Sequence, residues 1–230
     1  MISTKNYKQI VIGLGEIGKA IKTILSCDGI DKENNKSGIY DVMHVCFPYS
    51  DNFIEQVKKY QEIFKPNLTI IHSTVPVGTS KKIGAIHSPV RGKHPDLVGG
   101  IMNFVKYFGG EKSEEAAKIF SKLGIIVSSG HTSDTTEALK LWDTAQFGFN
   151  IVLEKEIKKF CDKYGLDFDI VYRDANRTYN EGYEKLGNPE FKKYILKHVD
   201  GKIGGHCVIS NLDLLDSDIS DFIKRYNDKI

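Results

Sequence analysis

The sequence predicts an α/β protein: a parallel sheet covered on both faces, followed by an all-helical region built on one long helix. Three observations carry that expectation. Short apolar runs of strand length alternate with segments of helical periodicity over residues 1–130. The first run ends directly in a glycine-rich turn, Gly13-Leu14-Gly15-Glu16-Ile17-Gly18. From Ser133 to Tyr164 there is no proline and only one glycine, Gly148, while apolar residues recur at helical spacing.

Tyr7 to Ile12 turns apolar at its end, as a strand buried in a parallel sheet does. A helix is expected over Ile17–Leu25, and a second strand ending at Gly29-Ile30-Asp31. Lys32–Gly38 reads as a polar turn. Val42–Phe47 is the third expected strand, stopped by Pro48, and Asp51 is placed to cap a helix over Phe53–Phe64. Strands are expected at Leu68–His72, Ala85–His87, Val105–Phe108 and Gly124–Val127. Ser113 is placed to cap a helix whose first turn carries Glu114 and Glu115, where the helix dipole favours carboxylates. A helix over Ser133–Tyr164 would extend roughly 45 Å, enough to cross between halves of a molecule or between subunits. Further helices are expected at Phe168–Tyr183, Pro189–Leu196 and Ser217–Tyr226. The expected division is residues 1–130 for the sheet domain and 131–230 for a helical domain.

Composition narrows the function. The chain has 230 residues, 40% hydrophobic and 27% charged, with a net charge of +2. That balance gives no reason to expect a nucleic acid or a membrane as partner. No apolar run approaches the roughly 20 residues of a membrane span. Cys27, Cys46, Cys161 and Cys207 are scattered without a CxxC pair, so neither a metal centre nor a disulfide framework is expected, and a cytoplasmic location is.

The glycine turn is a full GxGxxG between a strand and a helix, the Rossmann arrangement for dinucleotides. Gly13 permits the tight turn, Gly15 lets backbone approach a pyrophosphate, and Gly18 lets helix and strand pack closely. Leu14, Glu16 and Ile17 complete the loop, whose free N–H groups face the anion. Asp31 at the end of the second strand can accept from ribose hydroxyls and repels a 2′-phosphate, so NAD is expected over NADP. In an open parallel sheet, ligands gather at the carboxyl ends of strands. Phe47, Pro48, Ser73 and Thr74 lie at two such ends.

Ser73-Thr74-Val75-Pro76-Val77-Gly78-Thr79 resembles the STVPVGT segment of the UDP-glucose/GDP-mannose dehydrogenases, the nucleotide-sugar 6-dehydrogenases. Three further segments agree in the same order. Phe108-Gly109-Gly110 and its acidic helix resemble that family's IGG segment. Thr136-Glu137-Ala138-Leu139-Lys140-Leu141 resembles the start of its central helix, with Asn150, Ile151 and Glu156 in register. Gly204-Gly205-His206-Cys207 resembles its GGxC loop. The resemblance implies an NAD-dependent dehydrogenase of CH–OH groups acting on a sugar-like small molecule. Cys207 would be the nucleophile, Lys140 would stabilise developing oxyanions, and Thr74 would hold a water. Gly205, His206, Thr144 and Asn211 would border the substrate. It also implies a homodimer formed through the long helix.

The departures bear on the chemistry. Thr144 stands where that family has asparagine, Asn211 where it has aspartate, and Ser88-Pro89-Val90 where it has a glutamate after the proline. Those groups serve thioester hydrolysis. Near Val90, the residues His87, Arg91, Lys93 and His94 offer a different acid or anion contact, or a plain surface loop. That family also carries a further C-terminal nucleotide-sugar domain, so a smaller substrate is expected here. Arg173, Arg177 and Lys185 can meet an anion or form a solvated face. Two alternatives stay open: a two-electron hydroxyacid dehydrogenase of the 6-phosphogluconate type, and a non-catalytic dinucleotide-binding relic.

Overall fold

The computed structural model describes residues 7–31, 37–92, 95–204 and 208–230. These fall into two compact units, Met1–Leu141 and Trp142–Ile230. Among the described residues no helix is long and apolar enough to cross a membrane.

The first unit is a Rossmann-type sheet. Its strands are β1 (Gln9–Ile12), β2 (Asp28–Ile30), β3 (Val42–Val45), β4 (Leu68–Ile71), β5 (Ile86–His87), β6 (Lys106–Gly109) and β7 (Val127–His131). They lie in the order β2-β1-β3-β4-β5-β6-β7. Strands β1, β3 and β4 are buried on both faces, which is why they read as continuous apolar runs. One face packs Val11, Val42, Ile70 and Phe108 against Phe120 and Ala116. The other packs Ile10, Met43, Val45 and Ile71 against Phe53, Val57 and Phe64. Each such apolar side chain contributes about 1.5–3 kcal/mol on burial.

The helices of this unit are α1 (Glu16–Leu25), α2 (Phe53–Phe64), α3 (Thr79–Ile83), α4 (Leu97–Asn103) and α5 (Ser113–Ser121). The start of α6 (Ser133–Tyr164) also belongs to it. Two of these are absent from the sequence reading. Helix α3 has only five residues, too few to show a period. Helix α4 contains Gly99-Gly100, which weakens helix propensity. It forms because Asp96 caps it, accepting from Gly99 N at 2.8 Å, and because Gly100 packs on Gly92, where a Cβ would lie 2.9 Å from the Gly92 Cα.

Several expectations are corrected. Asp51 does not cap α2; the cap position is Asn52, with no side-chain cap bond. Ser113 is the first residue of α5 rather than its cap, and its hydroxyl accepts from Gly130 N at 3.2 Å. The last strand runs over Val127–His131, not Gly124–Val127. Gly124 has φ +82° in the turn after α5, and the edge strand β7 is polar and only partly buried, so it lacks an apolar run. The sheet is not wholly parallel, because β6 pairs antiparallel with β5.

The second unit is helical. It contains the remainder of α6, α7 (Ala175–Lys185), α8 (Val208–Leu212) and α9 (Asp218–Asp228). The helix expected over Phe168–Tyr183 is a π-helical turn, Asp169–Asp174, followed by α7. The one expected over Pro189–Leu196 is a single 3-10 turn, Pro189–Phe191. The chain then runs irregularly along α6, where Lys155 donates to the carbonyls of Val199 and Gly201 at 2.5 and 2.8 Å. Ala145, Val152, Ile203, Val208, Leu212 and Ile223 form the core of this unit.

Candidate functional site

The chain leaves β1 for β2 on one side and returns to β3 on the other. The strand order therefore reverses between β1 and β3, where open sheets of this kind hold their ligands. The glycine turn sits at that point. Gly13 has φ +90°, and a Cβ there would lie 2.9 Å from Phe47 N. Gly13 N donates to Ile30 O at 2.9 Å, tying the turn to β2. At Gly18 a Cβ would stand 1.8 Å from Gly13 O, so only glycine lets α1 pack on the turn. Gly15 is different: a Cβ there meets nothing within 4 Å, and the residue is exposed. It is the N-cap of α1 and has no side chain to accept from the first-turn N–H groups. Leu14 and Ile17 are half-buried, Glu16 is exposed in the first turn, and Asp31 is exposed one residue after β2.

At the ends of β3 and β4 the geometry is tighter. Phe47 is half-buried and Pro48 exposed. Ser73 is buried and its hydroxyl donates to Phe47 O at 2.6 Å, so it braces the two strand ends. Thr74 beside it is half-buried. His87, expected in a strand and also weighed as a surface loop residue, is fully buried. Burial and the ring's hydrogen bond to Ser73 O act on it in opposite senses, burial the more strongly, and the charges of Lys106 and Lys140 add to burial; its pKa falls to about 3. The ring is therefore neutral. Its Nε2 donates to Ser73 O at 3.2 Å, and its Nδ1 accepts from the Thr136 hydroxyl at 3.0 Å.

Glu137 is also fully buried. Its carboxylate accepts from Gly78 N at 2.7 Å and Ser80 N at 2.8 Å. Burial pushes its pKa up, against the backbone donors that pull it down. The sequence reading assigned Glu137 no role. The available signal was its place one helical turn before Lys140 in a stretch of otherwise apolar and small residues.

A second group the sequence did not reveal crosses one face of the sheet. His72 Nδ1 donates to Ser88 O at 2.9 Å, and His72 Nε2 accepts from His44 Nδ1 at 3.0 Å. Lys106 donates to the carbonyls of Ser88 and Pro89 at 3.2 and 3.4 Å, with its ammonium over the rings of Phe108 and Phe120. Burial lowers Lys106 to about 7 and His44 to about 3, and holds His72 well below its usual value.

The other expected site residues are dispersed. Lys140 is half-buried on α6, and Thr144, one turn further on, is buried. Asn211 is half-buried on α8. Gly205, His206 and Cys207 lie outside the described residues, as do Lys93 and His94. Val90 is part of the apolar core. Arg91 places its guanidinium over the Phe104 ring at 5.9 Å. Arg173 pairs with Asp169 at 3.0 Å, and Arg177 with Asp174 and Glu181 at 3.3 and 3.0 Å, all exposed; these two form a solvated face.

No protein-family model matches the chain, and no curated protein sequence is similar to it. Solved structures are. The UDP-D-ManNAc dehydrogenase of Pyrococcus horikoshii superposes with a TM-score of 0.73 at 18% identity, over 96% of this chain and 68% of that one. The chain has the fold of these dehydrogenases. The 3-hydroxyisobutyrate dehydrogenase of Mycobacterium tuberculosis gives a TM-score of 0.68 at 14% identity, over 96% of this chain and 92% of that one. The UDP-N-acetyl-mannosamine dehydrogenase of Staphylococcus aureus gives 0.68 at 16%, over 96% and 67%.

Proposed function

We propose that this protein is an NAD-dependent oxidoreductase of a sugar-like alcohol, acting in the cytoplasm as a homodimer. The observation that carries the reading is the glycine turn at the strand-order reversal, where Gly15 alone leaves open space above the first turn of α1. Gly13, Leu14, Gly15, Glu16, Ile17 and Gly18 would hold the pyrophosphate, and Asp31 the adenosine ribose. The negative charge of Asp31 favours NAD over NADP. Phe47, Pro48, Ser73 and Thr74 would border the nicotinamide half.

Bound NAD supplies an acceptor for the hydride of the substrate carbinol. Lys140 would stabilise the oxyanion that develops as the hydroxyl proton leaves. Cys207 would be needed as a thiolate nucleophile only for a second oxidation, in which the adduct with the carbonyl product would give up a second hydride to a second NAD. Thr74, Thr144, Asn211, Gly205 and His206 would orient substrate and water. Val90 lies in the core where a hydrolytic glutamate would be needed, which favours a single two-electron oxidation and one NADH per substrate.

Tryptophan and NADH fluorescence titration, followed by NAD reduction over a panel of sugar alcohols, sugars and hydroxyacids, tests the reading. NADH is expected to bind at least tenfold more tightly than NADPH. Lys140→Met is expected to lower kcat about 100-fold with NADH binding retained, whereas Cys207→Ala is expected to keep a reaction that yields one NADH per substrate and to lose any second NADH. Tight NADH binding with no turnover on any substrate would instead favour a non-catalytic dinucleotide binder, a reading that the burial of Val90 also supports.

The homodimer reading rests on α6. Trp142, Phe149, Leu153, Phe160 and Tyr164 follow one another at spacings of seven, four, seven and four residues, so they share one face of the helix, and each is at least 39% exposed. An apolar stripe of this length is what a subunit interface covers. Sedimentation velocity is expected to give a dimer, and Leu153→Glu with Phe160→Glu a monomer. A wild-type monomer at 50 µM or above, taken as roughly the top of the working range, would remove the dimer from the reading.

A further inference from the structure

Two buried side chains, one from β5 and one from α6, converge on the segment that follows β4. His87 donates to the carbonyl of Ser73, at the beginning of that segment. Glu137 accepts from the amides of Gly78 and Ser80, at its end. Both are tied to the first turn of α6, Glu137 by position and His87 through the Thr136 hydroxyl. Gly109 makes this approach possible, because a Cβ there would stand 2.2 Å from Thr132 O and 2.7 Å from Thr136 Oγ1. The segment between the anchors carries Thr74, and Lys140 follows Glu137 by one helical turn.

We infer that Glu137 is a positioning residue which, with the His87–Thr136 pair, locks the segment after β4 to the start of α6 and so fixes where the nicotinamide half of a dinucleotide can lie. The inference rests on the dinucleotide reading above. A carboxylate suits the role because its two oxygens take one backbone N–H each. An amide of the same shape offers only one acceptor and leaves the other N–H without a partner. The adenosine half, held by Gly13–Gly18 and Asp31 on the far side of the strand-order reversal, does not depend on the lock.

Glu137→Gln separates these statements. Hydrogen exchange at the Gly78 and Ser80 amides is expected to rise at least tenfold, while the amides of β4 stay as in wild type. NADH affinity is expected to fall about tenfold, with the affinity for ADP-ribose, which lacks the nicotinamide, unchanged within twofold. A general loss of stability would move both ligands together. Thr136→Val, which removes only the hydroxyl that holds His87, is expected to weaken NADH and spare ADP-ribose in the same way, and it carries the test if Glu137→Gln does not fold. Unchanged NADH affinity in the folded variant would overturn the inference even if the amides exchange faster. A wild-type protein that binds neither ligand would overturn the dinucleotide reading instead, and the amide exchange would then decide the lock alone.

Discussion

Gly18→Ala is expected to destabilise the first unit by about 3 kcal/mol or more, whereas Gly15→Ala, three residues earlier, is expected to leave stability within about 0.5 kcal/mol of wild type. The added methyl at residue 18 would meet the backbone oxygen of Gly13 at 1.8 Å and its carbonyl carbon at 2.9 Å. Neither atom belongs to a flexible side chain. Relief requires α1 to move off the turn, which disturbs the packing of Ala20 and Ile21 against the sheet. At residue 15 the methyl meets no protein atom within 4 Å, and the backbone there is extended at φ −66° and ψ −167°, open to any residue. The methyl fills instead the space where an anion would meet the helix N–H groups. NADH affinity of Gly15→Ala is therefore expected to drop at least tenfold, about 1.4 kcal/mol. Urea denaturation and fluorescence titration of the two variants check both halves. Gly15→Ala protein that binds NADH as wild type does would remove the pyrophosphate from the turn.

The second large effect concerns Lys106. Its ammonium is held to about 7 by burial, against 10.5 in an open chain. Between those values the unfolded chain binds a proton that the native protein does not. Stability therefore rises with pH across that window, is complete above it, and is lost again as pH falls towards 7. At about 1.36 kcal/mol per tenfold change in proton affinity, the full rise is on the order of 3–5 kcal/mol. Lys106→Met is expected to abolish it. The thiols of Cys27 and Cys46 and the phenols of Tyr40 and Tyr226, all raised by burial, act in the opposite sense at high pH. They are common to both proteins, so the difference between wild type and variant from pH 6.5 to 9.5 isolates the lysine. On the acid side, His44 and His87 are neutral in the native protein down to about 3, so stability falls as pH drops below 6.5. That limb is expected to survive in Lys106→Met. Parallel stability curves for the two proteins above pH 7 would show that Lys106 is charged and solvated in the native state.

The strands that form the middle of the sheet were legible because both faces are buried and the residues are β-branched. The glycine turn was legible because two steric demands, at Gly13 and Gly18, and one open approach, at Gly15, fall at fixed spacing. Helix α4 was not, because its stability comes from the Asp96 cap and from Gly100 against Gly92, contacts invisible to propensity. Strand β7 was not, because an edge strand with a half-open face needs no apolar run. In the candidate site, Asp31, Ser73 and Thr74 could be placed by strand ends alone. His87 could not be placed as buried, since its partners Ser73 and Thr136 come from elements 14 and 49 residues away. Lys106 read as an ordinary polar residue of a strand, and nothing local to it announces the histidines across the sheet.

The antiparallel junction gives the sheet a seam. Strands β5 and β6 share a single paired position, His87 with Gly109, while every other neighbouring pair shares two or more. What bridges that seam is largely side chain: Lys106 reaching the Ser88 and Pro89 carbonyls, and Thr136 reaching His87. The β-α-β unit of β6, α5 and β7, whose two strands run parallel, is thus stitched to the rest of the sheet by these polar contacts and by the apolar core that Phe108, Ala116 and Phe120 share with Val11, Val42 and Ile70. Parting the two would bare that shared core, so the seam is a weakness in backbone pairing and not in packing.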